Sequence, residues 1–273
     1  SFQGTDFTDQ SGYEAILQRL QDGRHMCKDV EELLKMRALA EEKYGRDLVA
    51  IARKAEGQTE IGTLKASFDK FKEEIEKTGN LHIQLSERIK EEVLKIEVFR
   101  EHQREQRKKV EDKIVLALHN AHSCAYSSAI IKRLYEQRCK EADESEQALG
   151  KKTNVNTSTH RHEAVLHSLS FLLFAGSEKQ YRWNVDQLAK TCQDWESTYR
   201  SACEVFQQQE SERINILRCV LWEHCNLLSK QCVQDDDCYE EVRKILEQCD
   251  IVADNNNFIK MKKTSSHPPG KVI

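Results

Sequence analysis

Proline is almost missing from this 273-residue chain: its two prolines, Pro268 and Pro269, stand side by side in the tail. Average usage would supply roughly 14, so nothing upstream of the tail breaks a helix on that account. Glycine is scarce as well, and between Ile61 and Leu149 only Gly62 and Gly79 occur. No glycine-rich phosphate loop, nucleophile elbow or zinc-binding HExxH is present, and the reading is of a non-enzyme. His162 and His167 are five residues apart, which puts them on different helix faces. No catalytic or metal-ligating residue is nominated, and no cofactor is expected. The ten cysteines include no CxxC, and the polar opening SFQGTDFTDQ has no apolar signal core. Reduced thiols in a cytosolic chain are the expectation. With a formal net charge of −4, nothing attracts nucleic acid globally, and any anionic surface must be met by a local basic face.

What is present is helix period over long distances. From Ile61 to Leu149 an apolar 3-4 rhythm runs through Leu64, Phe68, Phe71, Ile75, Leu85, Ile89, Ile96, Phe99 and Val110, with Thr78, His82 and Glu92 at seam positions where it weakens. About 90 residues at ~1.5 Å each make a rod of about 130 Å, too long for one compact domain to cover. Its stripe needs other long helices, including a second copy's. The spacing predicts helices at about 12–55, 60–149, 160–232 and 236–249, then an irregular extension over 251–273 leading into a linker. Thr59 is the expected N-cap of the second helix. Arg37 and Glu41, four apart on the first, are expected to pair beside the seam. Gln209 and Arg213 occupy seam positions of the third, and Gly176 is expected to kink or break it.

The run Arg37-Ala38-Leu39-Ala40-Glu41-Glu42-Lys43-Tyr44-Gly45-Arg46-Asp47-Leu48 resembles the RAxxExxYGxxL signature of F-BAR (extended FCH) domains. DFTDQSGYEAILQRLQDGRHMCKDVEELLK, ARKAEGQTEIGTLKASFD, FREHQREQRKK, YEQRCKEADESEQA and RINILRCVLWEHCNLLSKQCVQDDDCYEEVRKILEQC are similar to the proline-serine-threonine phosphatase-interacting family, on its SH3-bearing branch. The resemblance implies an all-α fold: an elongated antiparallel three-helix coiled-coil subunit, residues 1–250, paired into a crescent-shaped F-BAR homodimer. It implies a scaffold that binds anionic, phosphoinositide-rich membrane, generates or senses curvature, and recruits a PEST-type tyrosine phosphatase, with actin-regulatory proteins as indirect partners. The implied location is cytoplasmic, peripheral at the plasma membrane and actin-rich cortex. Any SH3 domain would lie beyond residue 273.

The residues themselves support the basic face in places. Arg100, Arg104 and Arg107 share one helical sector with Lys108 at its edge, and Lys132, Arg133, Arg138 and Lys140 follow. Such cations add about 1 kcal/mol each near an anionic leaflet, although Glu97, Glu101 and Glu105 could equally pair with them as a solvated charge face. Two stretches depart from the family pattern. Ile114–Ile131 carries no charge and reads as a buried helix segment. The apolar run Ser168–Ala175, too short to span a bilayer, is open between a buried patch, an insertion wedge and a poorly packed segment. Trp222 reads as an interfacial core aromatic; the resemblance assigns it instead to phosphatase binding. A coiled-coil adaptor with little membrane affinity is the competing function.

Overall fold

The computed structural model describes residues 10–151, 157–264 and 270. Four helices account for its regular structure: α1 (Gln10–Lys54), α2 (Gly62–Lys151), α3 (Thr157–Leu246) and α4 (Ile251–Lys262), with no strand among the described residues. They contribute to two compact units. One contains the chain up to Leu20 with Gln103–Gln209, the other Gln21–His102 with the chain from Glu210 onward.

In the second of these, the apolar seam of α1 (Cys27, Val30, Leu34, Ala38) meets Leu85, Ile89, Val93 and Ile96 of α2 and Leu217 and Val220 of α3. Neighbours three and four apart form one stripe per helix, and three stripes close one core. Ion pairs fix the direction of packing. Lys35 meets Glu97 at 2.6 Å, Glu42 meets Lys90 at 2.7 Å and Arg53 meets Glu76 at 2.7 Å, so α1 and α2 are antiparallel. Ser67 donates to the Ile245 carbonyl at 3.4 Å, and His82 lies 3.2 Å from Asp235, so α3 runs back against α2. The expected seam polars Thr78, His82 and Glu92 are buried, as are Gln209 and Arg213. Arg37 and Glu41 pair as expected. Nearer the start of α2, however, Ser67 and Glu74 occupy the seam, while Leu64 and Phe71 face out.

In the other unit, Ile16 and Leu20 of α1 pack with Ile114 of α2 and Ala202, Cys203 and Phe206 of α3. Tyr13 extends this core, its ring 5.3 Å from that of Tyr199 and 6.1 Å from that of Phe206. Farther along, Tyr135 of α2 stacks on Tyr181 at 5.1 Å and Phe174 at 5.9 Å of α3.

Several expectations are corrected. The cap of α2 is not Thr59, which lies in a turn. Asp254 supplies it, accepting from the backbone N–H of Thr63 at 2.7 Å and of Leu64 at 2.9 Å. Gly62 has φ +70°, and a Cβ there would collide with the Asp254 carboxylate. The third helix does not stop near 232; α3 continues through Asp235-Asp236-Asp237 to Leu246. Aspartate is a weak helix former, but Asp235 is held by His82 and accepts from Gln231 at 2.8 Å, and Asp236 lies 3.5 Å from Arg243. Residues 251–262 form α4 rather than irregular chain, because the Asp250 side chain accepts from the Ala253 N–H at 2.9 Å as N-cap. α3 also passes through Gly176 without a break. Of the expected loop over 151–160, residues 152–156 lie outside the described residues, while Lys151 ends α2 and Thr157 already begins α3. Ile114–Ile131 is not a buried segment within this chain: Ile114 and Ser128 are buried, while Val115, Leu116, Tyr126 and Ile130 are exposed.

Candidate functional site

The signature segment on α1 is explained side chain by side chain. Ala38 is fully buried, which leaves room for the core to close over it. Glu41 pairs with Arg37 and lies 2.6 Å from His82 Nδ1, whose Nε2 faces Asp235. Carboxylate, imidazole and carboxylate thus tie α1, α2 and α3 together across the seam. Tyr44 stands edge-on to the His82 ring at 4.7 Å. Gly45 is required by contact: a Cβ on it would strike the Gly79 carbonyl oxygen, and one on Gly79 would lie 2.6 Å from the Gly45 oxygen. Leu48 completes the row, lining a small cleft with Phe71, Thr78, Cys238 and Val242. The signature is architectural, since every one of these groups faces protein partners.

The basic residues are unequal. Arg100 is a quarter exposed and pairs with Glu31. Burial raises the affinity of Glu31 for its proton, but hydrogen bonds from Lys35 and Arg100 outweigh it and hold the carboxyl below its usual range. The positive charge of Arg100 is therefore largely matched inside the protein. Arg107 is 14% exposed and lies 3.7 Å from Glu111. Arg138, a third exposed, meets Glu141 at 2.7 Å. Arg104, Lys108, Lys132, Arg133 and Lys140 are exposed, with Lys132 at 4.0 Å from Glu136. Arg100 belongs to one compact unit and the other seven to the other, so what reads as one arginine sector divides between a structural group and surface groups.

Trp222 is not a core aromatic. It is 70% exposed, one of the most accessible large side chains of α3. The stripe of α3 reaches Val220 and Leu217, and Trp222 falls outside it. No group of three or more His, Cys, Asp or Glu among the described residues has a geometry that could hold a metal ion. No described helix is long and apolar enough to cross a membrane. The periodicity missed two features: α4, whose Ile251, Val252, Phe258 and Ile259 are exposed, and the outward apolar face of α3 around Leu172. The charge-free, leucine-rich composition of 164–175 was the visible signal for the latter.

Residues 12–84 match the Fes/CIP4 and EFC/F-BAR homology domain. Proline-serine-threonine phosphatase-interacting protein 1 of Mus musculus is 46% identical over 273 residues, covering 98% of this chain and 65% of its own length. The Homo sapiens protein of the same name is 47% identical over 276 residues, covering 98% and 64%. This chain therefore spans just under two thirds of both relatives. Among solved structures, the Imp2 F-BAR domain superposes with a TM-score of 0.74 at 23% identity, covering 98% of this chain and 91% of that one. F-BAR domains are elongated helical coiled-coil dimers. With that domain match, the signature on α1 and identity sustained along nearly all its residues, the chain belongs to the FCH/F-BAR domain family.

Proposed function

We propose that this chain is a homodimeric F-BAR scaffold that associates with anionic, phosphoinositide-containing membrane and recruits a PEST-type tyrosine phosphatase, linking membrane to actin regulation at the cytoplasmic face of the cell cortex. The observation that carries the reading is its similarity, over nearly its full length, to relatives named for interacting with a phosphatase. Arg104, Lys108, Lys132, Arg133 and Lys140 are the side chains we assign to lipid headgroups, because they are exposed. Arg100, Arg107 and Arg138 play a secondary part, since each is a third exposed or less. Trp222 is the assigned phosphatase contact, a large and accessible aromatic of the kind that dominates interface energetics.

Vesicle co-sedimentation tests the lipid claim. Binding should rise when phosphatidylinositol bisphosphate is included and fall as salt rises. Reversing the five exposed cations to Glu should weaken it roughly fivefold or more per residue. Equal pelleting with and without the phosphoinositide at low salt would remove the claim. The competing adaptor reading draws on the pairing of Arg100 with Glu31. Under that reading the reversed variant retains phosphatase binding and the wild-type chain ignores vesicles.

A further inference from the structure

The helix α3 is turned the wrong way round between Arg161 and Trp183. Its contacts with α2 run through Phe174 and Tyr181, which stack on Tyr135. The opposite face, which ought to be polar, carries Val165 (63% exposed), Leu169 (53%) and Leu172 (69%), flanked by Leu166 and Leu173, and Trp183 (61%) stands at its edge, beside the cleft that Leu116 and Asn120 of α2 also line. Gly176 lies on the same face with no side chain or neighbouring backbone near it. A contiguous apolar surface of this kind marks an interaction. The helix is not a membrane span, so the alternatives are another protein or the plane of a bilayer.

Charge decides between them. Between Arg161 and Trp183, helical spacing puts Arg161 and Lys179 in the sector of the apolar face and no carboxylate there, with Asp186 following one turn beyond. Glu163 is half-buried, and Glu178 is a third exposed and bonded to Arg182 at 2.6 Å, both away from the outward face. Two copies of this face meeting antiparallel about a two-fold axis near Ser170 would set Arg161 against Lys179 of the other copy, like charge on like. An anionic leaflet presents the reverse: phosphates for the cations and acyl chains for the leucines. Trp183, at one end, has the amphipathic ring that sits at headgroup depth.

We propose that the outward face of α3 from Arg161 to Trp183 lies in the plane of an anionic leaflet, its leucines and Trp183 inserted shallowly among the upper acyl carbons. This rests on the membrane reading above and adds to it a contact that is apolar, and therefore resistant to salt. The chain has three tryptophans, so a W195F/W222F form reports on Trp183 alone. It is mixed with phosphatidylcholine–phosphatidylserine vesicles whose phosphatidylcholine is brominated near the glycerol end of the acyl chain. Emission from Trp183 should shift to the blue and be quenched, and the quenching should survive salt that releases surface-bound cations. An L169Q/L172Q change, at side chains that lose little intrachain burial, should abolish the quenching and weaken partition about tenfold, with helical circular dichroism unchanged. Sedimentation with vesicles while Trp183 stays unquenched overturns insertion and leaves the membrane reading standing. Failure to sediment at any salt overturns both. Loss of self-association in L169Q/L172Q, with Trp183 unquenched by vesicles in the parent form, identifies a protein contact and overturns insertion.

Discussion

His224 shows how a single side chain sets a pH limit. Its Nδ1 is buried without a partner among the described residues. Burial first, and the positive charge of Arg37 second, lower its proton affinity, with Glu41 pulling weakly the other way. The folded chain thus binds this proton less readily than the unfolded one. Stability is then complete above the ordinary histidine range, near about 6.5, and declines as pH falls through the window below it. The melting temperature should drop between about pH 7.5 and 5.5, and His224→Gln should flatten that slope; an unchanged slope would place the effect elsewhere. Glu31, held below its usual range, loses its contribution only at lower pH, so the two titrations separate. His82 is a different case. Replacing it by Leu removes the bridge from Glu41 to Asp235 and leaves two carboxylates facing an apolar group. The cost should be about 2–4 kcal/mol in denaturant unfolding.

At the scale of the helix, three glycines separate contact from propensity. Gly45→Ala or Gly79→Ala forces backbone apart where α1 crosses α2, and should destabilise by about 2 kcal/mol or more. Gly176→Ala fills open space inside a continuous helix and should stabilise by about 1 kcal/mol. Thermal or denaturant melts of the three variants check both signs, and a destabilised Gly176→Ala would mean that the residue is needed as a hinge. The same contrast explains what was legible beforehand. Long helices were readable because Leu34, Ile89 and Phe206 repeat at helical spacing, and Glu41 and Gln209 were readable because a polar residue at a seam position must find a partner. The α2 cap was not: Asp254 lies 191 residues from Thr63, and local sequence offered Thr59 instead. Nor was the outward face of α3, since period alone says which residues share a stripe and not which way the stripe faces. The surroundings of Trp222 and Arg100 were hidden for that reason, one exposed on its own chain and the other turned toward a carboxylate.

For the whole molecule the governing question is what covers the apolar side chains that one copy leaves out. In the unit that begins at Gln21, Leu33, Met36 and Leu39 of α1 and Leu94 and Val98 of α2 are each more than half exposed. A second copy can cover them, as expected for an F-BAR domain. Sedimentation equilibrium at micromolar concentration should then give a dimer. Leu39→Glu or Met36→Glu should shift it to monomer with helicity retained, because neither side chain is buried within its own chain. Dimerisation also bears on lipid. Two copies on one surface turn the second set of headgroup contacts into an intramolecular event, which raises avidity by a hundredfold or more (~10²–10⁴) without any new contact. The monomeric variant should therefore bind anionic vesicles far more weakly than wild type. It should also lose much of the steepness of its salt dependence, since fewer cations engage per particle. A monomer that binds vesicles as tightly as the dimer would show that one copy carries the whole membrane contact, and would shift the weight of the interaction from paired basic surfaces to the outward face of α3.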